Sequence, residues 1–181
     1  FLIFKKNFRY YLYDFLRDNY STLNFNSKKA KFFTPSTISK WRINTFFEKE
    51  PETLDFIDNM KNNGVFFDIG ANTGIYSIYA GIQKSKLKVF AFEPSATNLA
   101  LLSRNIFLNN LSKRISIVQL PLSNQKLQLN TMNEGFVDEG GSMNSYGVSH
   151  GFDGKKYNPI NKYRLLGTSI DFLIDQKIIP K

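Results

Sequence analysis

Three apolar runs, at residues 65–69, 88–92 and 115–120, punctuate the middle of the chain, and between them apolar positions recur at helical spacing. Short continuous apolar runs bounded by turn residues read as strands buried on both faces, and strands alternating with amphipathic helices read as βαβ units of a parallel sheet. The first intervening helix is expected over about 73–81, with Tyr76, Ile78 and Tyr79 on it and Gly81 at its end. The second is capped by Ser95 or Thr97, buries Leu99, Leu102 and Ile106, and reaches Asn109 or Asn110. Pro121 closes the third strand.

Upstream the pattern is helical. Pro51 suits a first helical turn, Glu52 and Asp55 favour its amino end, Leu54, Ile57 and Met60 recur on one face, and Gly64 offers a stop. Aromatic-rich helices are expected over 10–20 and 37–47, with a polar loop over 27–35 between them. The boundary falls at Asn62, Asn63 and Gly64, dividing the chain into an amino-terminal helical segment, 1–62, and an α/β domain, 63–181. Beyond residue 122 short alternating stretches, 126–130 and 163–168, read as antiparallel ribbons or loops, followed by a short helix over 169–176.

Composition adds limits. At 181 residues and 42% hydrophobic, the chain can bury one real core. No apolar run approaches the roughly 20 residues that span a bilayer. The start lacks the basic flank and cleavage site of a signal peptide, so the default location is the cytoplasm. Cysteine is absent, which excludes disulfides and thiolate chemistry, and no His or carboxylate pair has metal-ligand spacing, so no metal is expected. The net charge of +9 is spread along the chain, with short clusters only at Lys28, Lys29, Lys31 and at Lys155, Lys156; polyanion binding uses contiguous patches, so nucleic acid is not the expected partner.

The candidate chemistry sits where the first strand ends, in Asp68-Ile69-Gly70-Ala71-Asn72-Thr73-Gly74. A carboxylate at the carboxyl end of a parallel strand faces the crevice where open α/β sheets bind ligands, and glycines allow close backbone approach. Glu93, one crossover later at the end of the second strand, can accept hydrogen bonds from both hydroxyls of a ribose. Nicotinamide dinucleotides and S-adenosylmethionine both use such an acid. A pyrophosphate wants G-x-G-x-x-G and a helix amino terminus free of negative charge, whereas Asp68 stands at this mouth; the sulfonium and ammonium of S-adenosylmethionine welcome it. The cationic cofactor is favoured.

These residues, with Phe90-Ala91-Phe92-Glu93-Pro94, the stretch 105–110, Leu122-Ser123-Asn124 and the upstream Phe46-Phe47-Glu48, resemble the FkbM-type class I methyltransferases over about residues 45–175. The resemblance implies an α/β, Rossmann-like, three-layer sandwich with S-adenosylmethionine as methyl donor. It further implies a hydroxyl acceptor on a sugar, lipid, polyketide or other small metabolite. By position, Asp68, Gly70, Asn72 and Gly74 would surround the methionine and ribose portion, Glu93 would hold the ribose diol, and Pro94, Ser95 and Leu120 would border adenine. Leu122, Ser123 and Asn124 are candidates for the same crevice, although a turn after Pro121 explains them as simply.

No general base stands out. His150, the single histidine, lies in a turn-rich stretch, and Asp138 and Glu139 precede Gly140-Gly141-Ser142 as a lid, an acceptor contact or an exposed acidic turn. The family continues into a fourth strand with an acidic D-x-E-G-type motif, which this chain does not contain, so a truncated domain, unstable or inactive by itself, is expected. RNA methylation, motivated by the basic balance, and a non-catalytic cofactor-binding remnant are the rival readings.

Overall fold

In the computed structural model, which describes residues 2–17, 19–151 and 153–181, helix α1 (Leu2–Arg17) precedes strands β1 (Tyr20–Phe25) and β2 (Lys28–Phe33). Helices α2 (Thr37–Asn44), α3 (Phe46–Lys49) and α4 (Pro51–Asn59) lead to β3 (Val65–Ile69), α5 (Ile75–Gln83), β4 (Lys88–Phe92), α6 (Ala96–Leu108) and β5 (Ile115–Val118). Strands β6 (Leu127–Glu134), β7 (Asn144–Tyr146) and β8 (Asn161–Thr168) and helix α7 (Ile170–Asp175) complete it. No helix among the described residues is long and apolar enough to cross a membrane.

Strands β3, β4 and β5 pair in parallel in that order, as expected of two consecutive βαβ units. Alternation sorts their side chains onto two faces. Phe66, Val89, Ala91 and Ile115 meet α5 and α6 through Ile75, Ile78, Leu102 and Ile106. Phe67, Phe90, Phe92 and Val118 meet Ile170, Leu173 and Ile174 of α7 on the other. The result is a three-layer α/β sandwich, its parallel strands mostly apolar because helices pack on both faces, with Asp68, Lys88 and Ser116 the polar exceptions. The ribbons beyond residue 122 are one antiparallel sheet in the order β7-β6-β8, joined to the region after β5 where Thr168 accepts from the Ser123 amide at 2.7 Å and donates to the Pro121 carbonyl at 3.0 Å.

The amino-terminal part differs from the expectation of helices around a polar loop. Residues 20–33 form an antiparallel hairpin, and the expected loop over 27–35 is mostly β2. Asn26 and Ser27, at φ +46° and +60°, make the tight turn, a conformation Asn tolerates. Leu23, Phe25, Ala30 and Phe32 point inward, and one core joins them to Ile43, Phe46, Leu54, Ile57 and the α5/α6 face of the sheet.

The outer edge of β2 pairs with side chains. Asn109 accepts from the Lys31 amide at 2.9 Å and donates to the Lys31 carbonyl at 2.8 Å, imitating a strand neighbour. Asn105, fully buried, accepts from the Phe33 amide at 2.7 Å and donates to the Thr73 carbonyl at 2.9 Å, tying the hairpin to the loop after β3. Asn105→Leu leaves both backbone groups unpaired in the interior and costs about 2 kcal/mol. The expected result is a lower urea midpoint together with faster amide exchange at Phe33; unchanged exchange there would remove this bridge from the account.

Candidate functional site

The chain turns sharply after β3 because Gly70 and Ala71 both donate to the Phe92 carbonyl, each at 2.9 Å, folding the loop over the end of β4. Gly70, Asn72 and Gly74 take φ of +76°, +52° and +82°, the left-handed region that suits Gly and Asn. This path aims the Asn72 amide at Glu93 Oε2, 2.7 Å away, while the Ser95 amide meets Oε1 at 2.9 Å. Glu93 is buried, and desolvation raises its carboxyl pKa; bonds from Ser95, Asn72 and Asn98 oppose the shift and the charge of Asp68 adds to it.

A cavity of ≈ 320 Å³ opens beside Glu93, and Gly70, Asn72, Glu93 and Pro94 all line it, with Leu120 and Leu122 on its far wall. Ser95 is buried at the start of α6 and contributes its amide to Glu93. Ser123 turns away to accept from the Gln125 amide at 3.2 Å, as expected of a turn after Pro121, and neither it nor Asn124 lines the cavity. Gly74 lies outside the lining as well and starts α5, directly over Leu102. Asp68 points toward α5, where Oδ2 accepts from Ser77 Oγ at 2.6 Å, and it lines a second cavity.

That second cavity, of ≈ 680 Å³, shares Ile69, Gly70, Asn72 and Ser142 with the first and extends toward Trp41, Arg42, Glu50 and Tyr76. The divider between the two is the segment between β6 and β7, a role no periodicity announces. Asn72 Nδ2 and Asn98 Nδ2 both donate to the Gly141 carbonyl, at 2.8 and 3.0 Å, and Asn98 Oδ1 accepts from the Gly140 amide at 3.0 Å. From α2, Arg42 Nε donates to the Gly140 carbonyl at 2.7 Å, and Ser36 Oγ donates to the Glu139 carbonyl at 2.6 Å. Of Asp138 and Glu139, considered as a lid, an acceptor contact or an exposed acidic turn, Asp138 is exposed, Glu139 is bonded to Ser36 through its carbonyl, and neither lines either cavity. His150 is exposed on the bridge to Lys156 and lines neither cavity.

Burial pushes the Asp68 carboxyl from 3.8 up to about 6, against the two hydrogen bonds from Ser77 and with the help of the Glu50 charge. Ionising it therefore costs more in the folded chain than in the unfolded one. Its contribution to stability is greatest below pH 4 and falls as pH rises through 6, by about 3 kcal/mol in all. Asp68→Asn abolishes that slope. The measurement is the urea unfolding free energy of both proteins from pH 4 to 7: the variant is expected to gain on the parent as pH rises, and parallel curves would refute the assignment.

No family model matches the chain. Over 67 residues it is 36% identical to the methyltransferase sdnD of Sordaria araneosa, a stretch covering 37% of this chain and 26% of that protein. The chain thus spans about a quarter of the relative's length. Among solved structures, P. horikoshii TYW2 in complex with MeSAdo overlaps 57% of this chain and 37% of its own, at 21% identity and a TM-score of 0.41. A SAM-dependent methyltransferase from Aquifex aeolicus overlaps 52% of each chain at 18% identity and a TM-score of 0.39. For the precorrin-6y C5,15-methyltransferase of Geobacter metallireducens GS-15 the overlap is 40% of this chain and 37% of that one, at 24% identity and a TM-score of 0.36.

Proposed function

We propose that this chain carries the donor site of an S-adenosylmethionine-dependent methyltransferase of the FkbM type, acting on a hydroxyl oxygen of a small molecule or glycan. The observation that carries the reading is a crevice rich in acceptors and poor in donors. Glu93 and Asp68 are both buried with raised carboxyl pKa values, each held up chiefly by desolvation. Asn72 Oδ1 is buried beside them with no hydrogen-bond partner, because Nδ2 is committed to Gly141, and Asn144 Oδ1 in the first cavity is unpartnered too. Such a set lacks a cation with N–H donors, and a polyphosphate would only add to the charge already present.

The residues fit the group in a consistent order. Glu93 would accept from the ribose hydroxyls, Pro94, Leu120 and Leu122 would border the base, and Asn72 with the glycine turn would face the amino-acid end, while Asp68, turned toward α5, would act only through its charge from the neighbouring cavity. When bound, S-adenosylmethionine supplies an electrophilic methyl group. The chain's own part is to orient: the two cavities share Ile69, Gly70, Asn72 and Ser142 in their linings, and reaction would need donor and acceptor aligned across these residues. RNA as acceptor has less support, since Lys28 is tied to the carboxyl end of α5 through the Ile82 and Gln83 carbonyls at 3.1 and 3.3 Å and Lys31 lies over the Tyr20 ring at 4.3 Å.

The direct test is isothermal calorimetry of the whole chain with S-adenosylmethionine and S-adenosylhomocysteine. Saturable binding of both at micromolar concentrations is expected. No heat and no thermal stabilisation with either ligand would overturn the donor reading.

A further inference from the structure

The second cavity has a lining unlike the first, and its composition specifies a ligand. Its volume of ≈ 680 Å³ lies in the range of small-molecule sites. Trp41, the single tryptophan of the chain, lines it and is 50% exposed, with the Lys49 ammonium over its ring at 6.0 Å from the centroid. Opposite charges stand around it: Lys49 meets Glu50 at 3.0 Å, Arg42 lies in the field of Glu50, and Asp68 is buried on the same lining. Tyr76 and Thr53 add hydroxyls that both donate and accept.

Each ligand class makes a different demand on such a wall. A nucleic acid needs uncompensated positive charge, whereas Arg42 and Lys49 are balanced by Glu50 and Asp68. An acyl chain or a fused apolar ring needs a dry, apolar lining, and the charged side chains of Arg42, Lys49, Glu50 and Asp68 around this cavity offer it a polar one. A neutral polyol meets every requirement: its hydroxyls donate to carboxylates and accept from Arg, Lys and Thr, while its C–H face covers an aromatic ring.

We propose that the second cavity is the acceptor-binding site and takes a carbohydrate, stacked on Trp41 and hydrogen-bonded by Glu50 and Arg42. The role as acceptor site rests on the donor reading above, because the two cavities meet at Gly70, Asn72 and Ser142; carbohydrate binding itself does not.

Trp41 reports on the site directly. The experiment titrates the whole chain, with and without S-adenosylhomocysteine, with methyl α-D-glucopyranoside, methyl α-D-mannopyranoside and methyl α-L-rhamnopyranoside, and follows tryptophan emission. At least one glycoside is expected to change the emission saturably, with a Kd on the order of 1 mM. Glu50→Ala should weaken it roughly ten-fold, as loss of a charged hydrogen-bond acceptor does. Trp41→Ala, followed by ligand-observed NMR because the probe is gone, should weaken it as much, and both variants should keep S-adenosylhomocysteine affinity within about two-fold. If no glycoside binds, or if one binds with equal affinity to parent and both variants, the proposal falls. A response to 2-naphthol without a response to any glycoside also overturns it, in favour of an aromatic acceptor. Glycoside binding lost in the variants, in a chain that fails to bind S-adenosylhomocysteine, would uphold the carbohydrate site and sink the donor reading alone.

Discussion

Glu93→Ala is expected to lower the affinity of the chain for S-adenosylmethionine by two to three orders of magnitude, about 3–4 kcal/mol. Two losses combine. In the proposed donor pose the ribose hydroxyls would lose an ionised acceptor, and hydrogen bonds to a charged group are each worth about 1.5–3 kcal/mol. The loop also loses its clamp, since the Asn72 and Ser95 amides now bonded to Oε2 and Oε1 at 2.7 and 2.9 Å have no other acceptor there. Glu93→Gln keeps one carbonyl oxygen and gives up the charge, so its loss should be nearer ten-fold. Calorimetry on both variants, with circular dichroism to confirm folding, decides the matter. Parent-like affinity in a folded Glu93→Ala protein would remove Glu93 from the donor site.

The part of the fold that was legible is the part whose strands are buried on both faces. Residues 65–69 and 88–92 are apolar but for Asp68 and Lys88 because a parallel sheet between helical layers needs such runs, and the observed strand limits match them. The hairpin escaped because its inward residues are interleaved with lysines. In β2, Ala30 and Phe32 are buried while Lys28, Lys29 and Lys31 are exposed, so charge concealed a period of two. Asn26-Ser27 between two alternating stretches was the available signal, a turn that asks for positive φ at both positions.

The candidate site divides the same way. Glycines and acids at strand ends are visible because chemistry restricts their identity. The divider between the cavities is held by the carbonyls of Glu139, Gly140 and Gly141, and a carbonyl carries no mark of residue type. What the sequence does contain is the donor half of each contact: Ser36, Arg42, Asn72 and Asn98. Only the fold shows that residues about 40 to 100 positions away receive them.

The two glycines flanking Asn72 have separate duties, and substitution should split them. A Cβ on Gly74 would lie 2.4 Å from Leu102 Cδ1, and the residue sits at φ +82°. Gly74→Val therefore combines a left-handed backbone, about 1–2 kcal/mol for an ordinary residue and more for a β-branched one, with overpacking of about 1–3 kcal/mol. A total near 4 kcal/mol is expected, a large share of the stability of a domain this size. Gly70, at φ +76°, has no atom within 4 Å of where its Cβ would be, yet it lines both cavities. Gly70→Ala should cost about 1–2 kcal/mol of stability through backbone strain alone, and should reduce S-adenosylhomocysteine affinity at least about ten-fold by placing a methyl group where the ligand and the turn approach each other. Urea unfolding and calorimetry on the two variants separate these effects. Adding Leu102→Ala to Gly74→Ala, which carries the same clash with a smaller side chain, should recover part of the steric loss as a favourable coupling of about 0.5–3 kcal/mol while leaving the φ cost untouched. Simple additivity in that double-mutant cycle would mean that Leu102 does not press on the turn, and would leave the left-handed backbone as the sole reason for glycine at position 74.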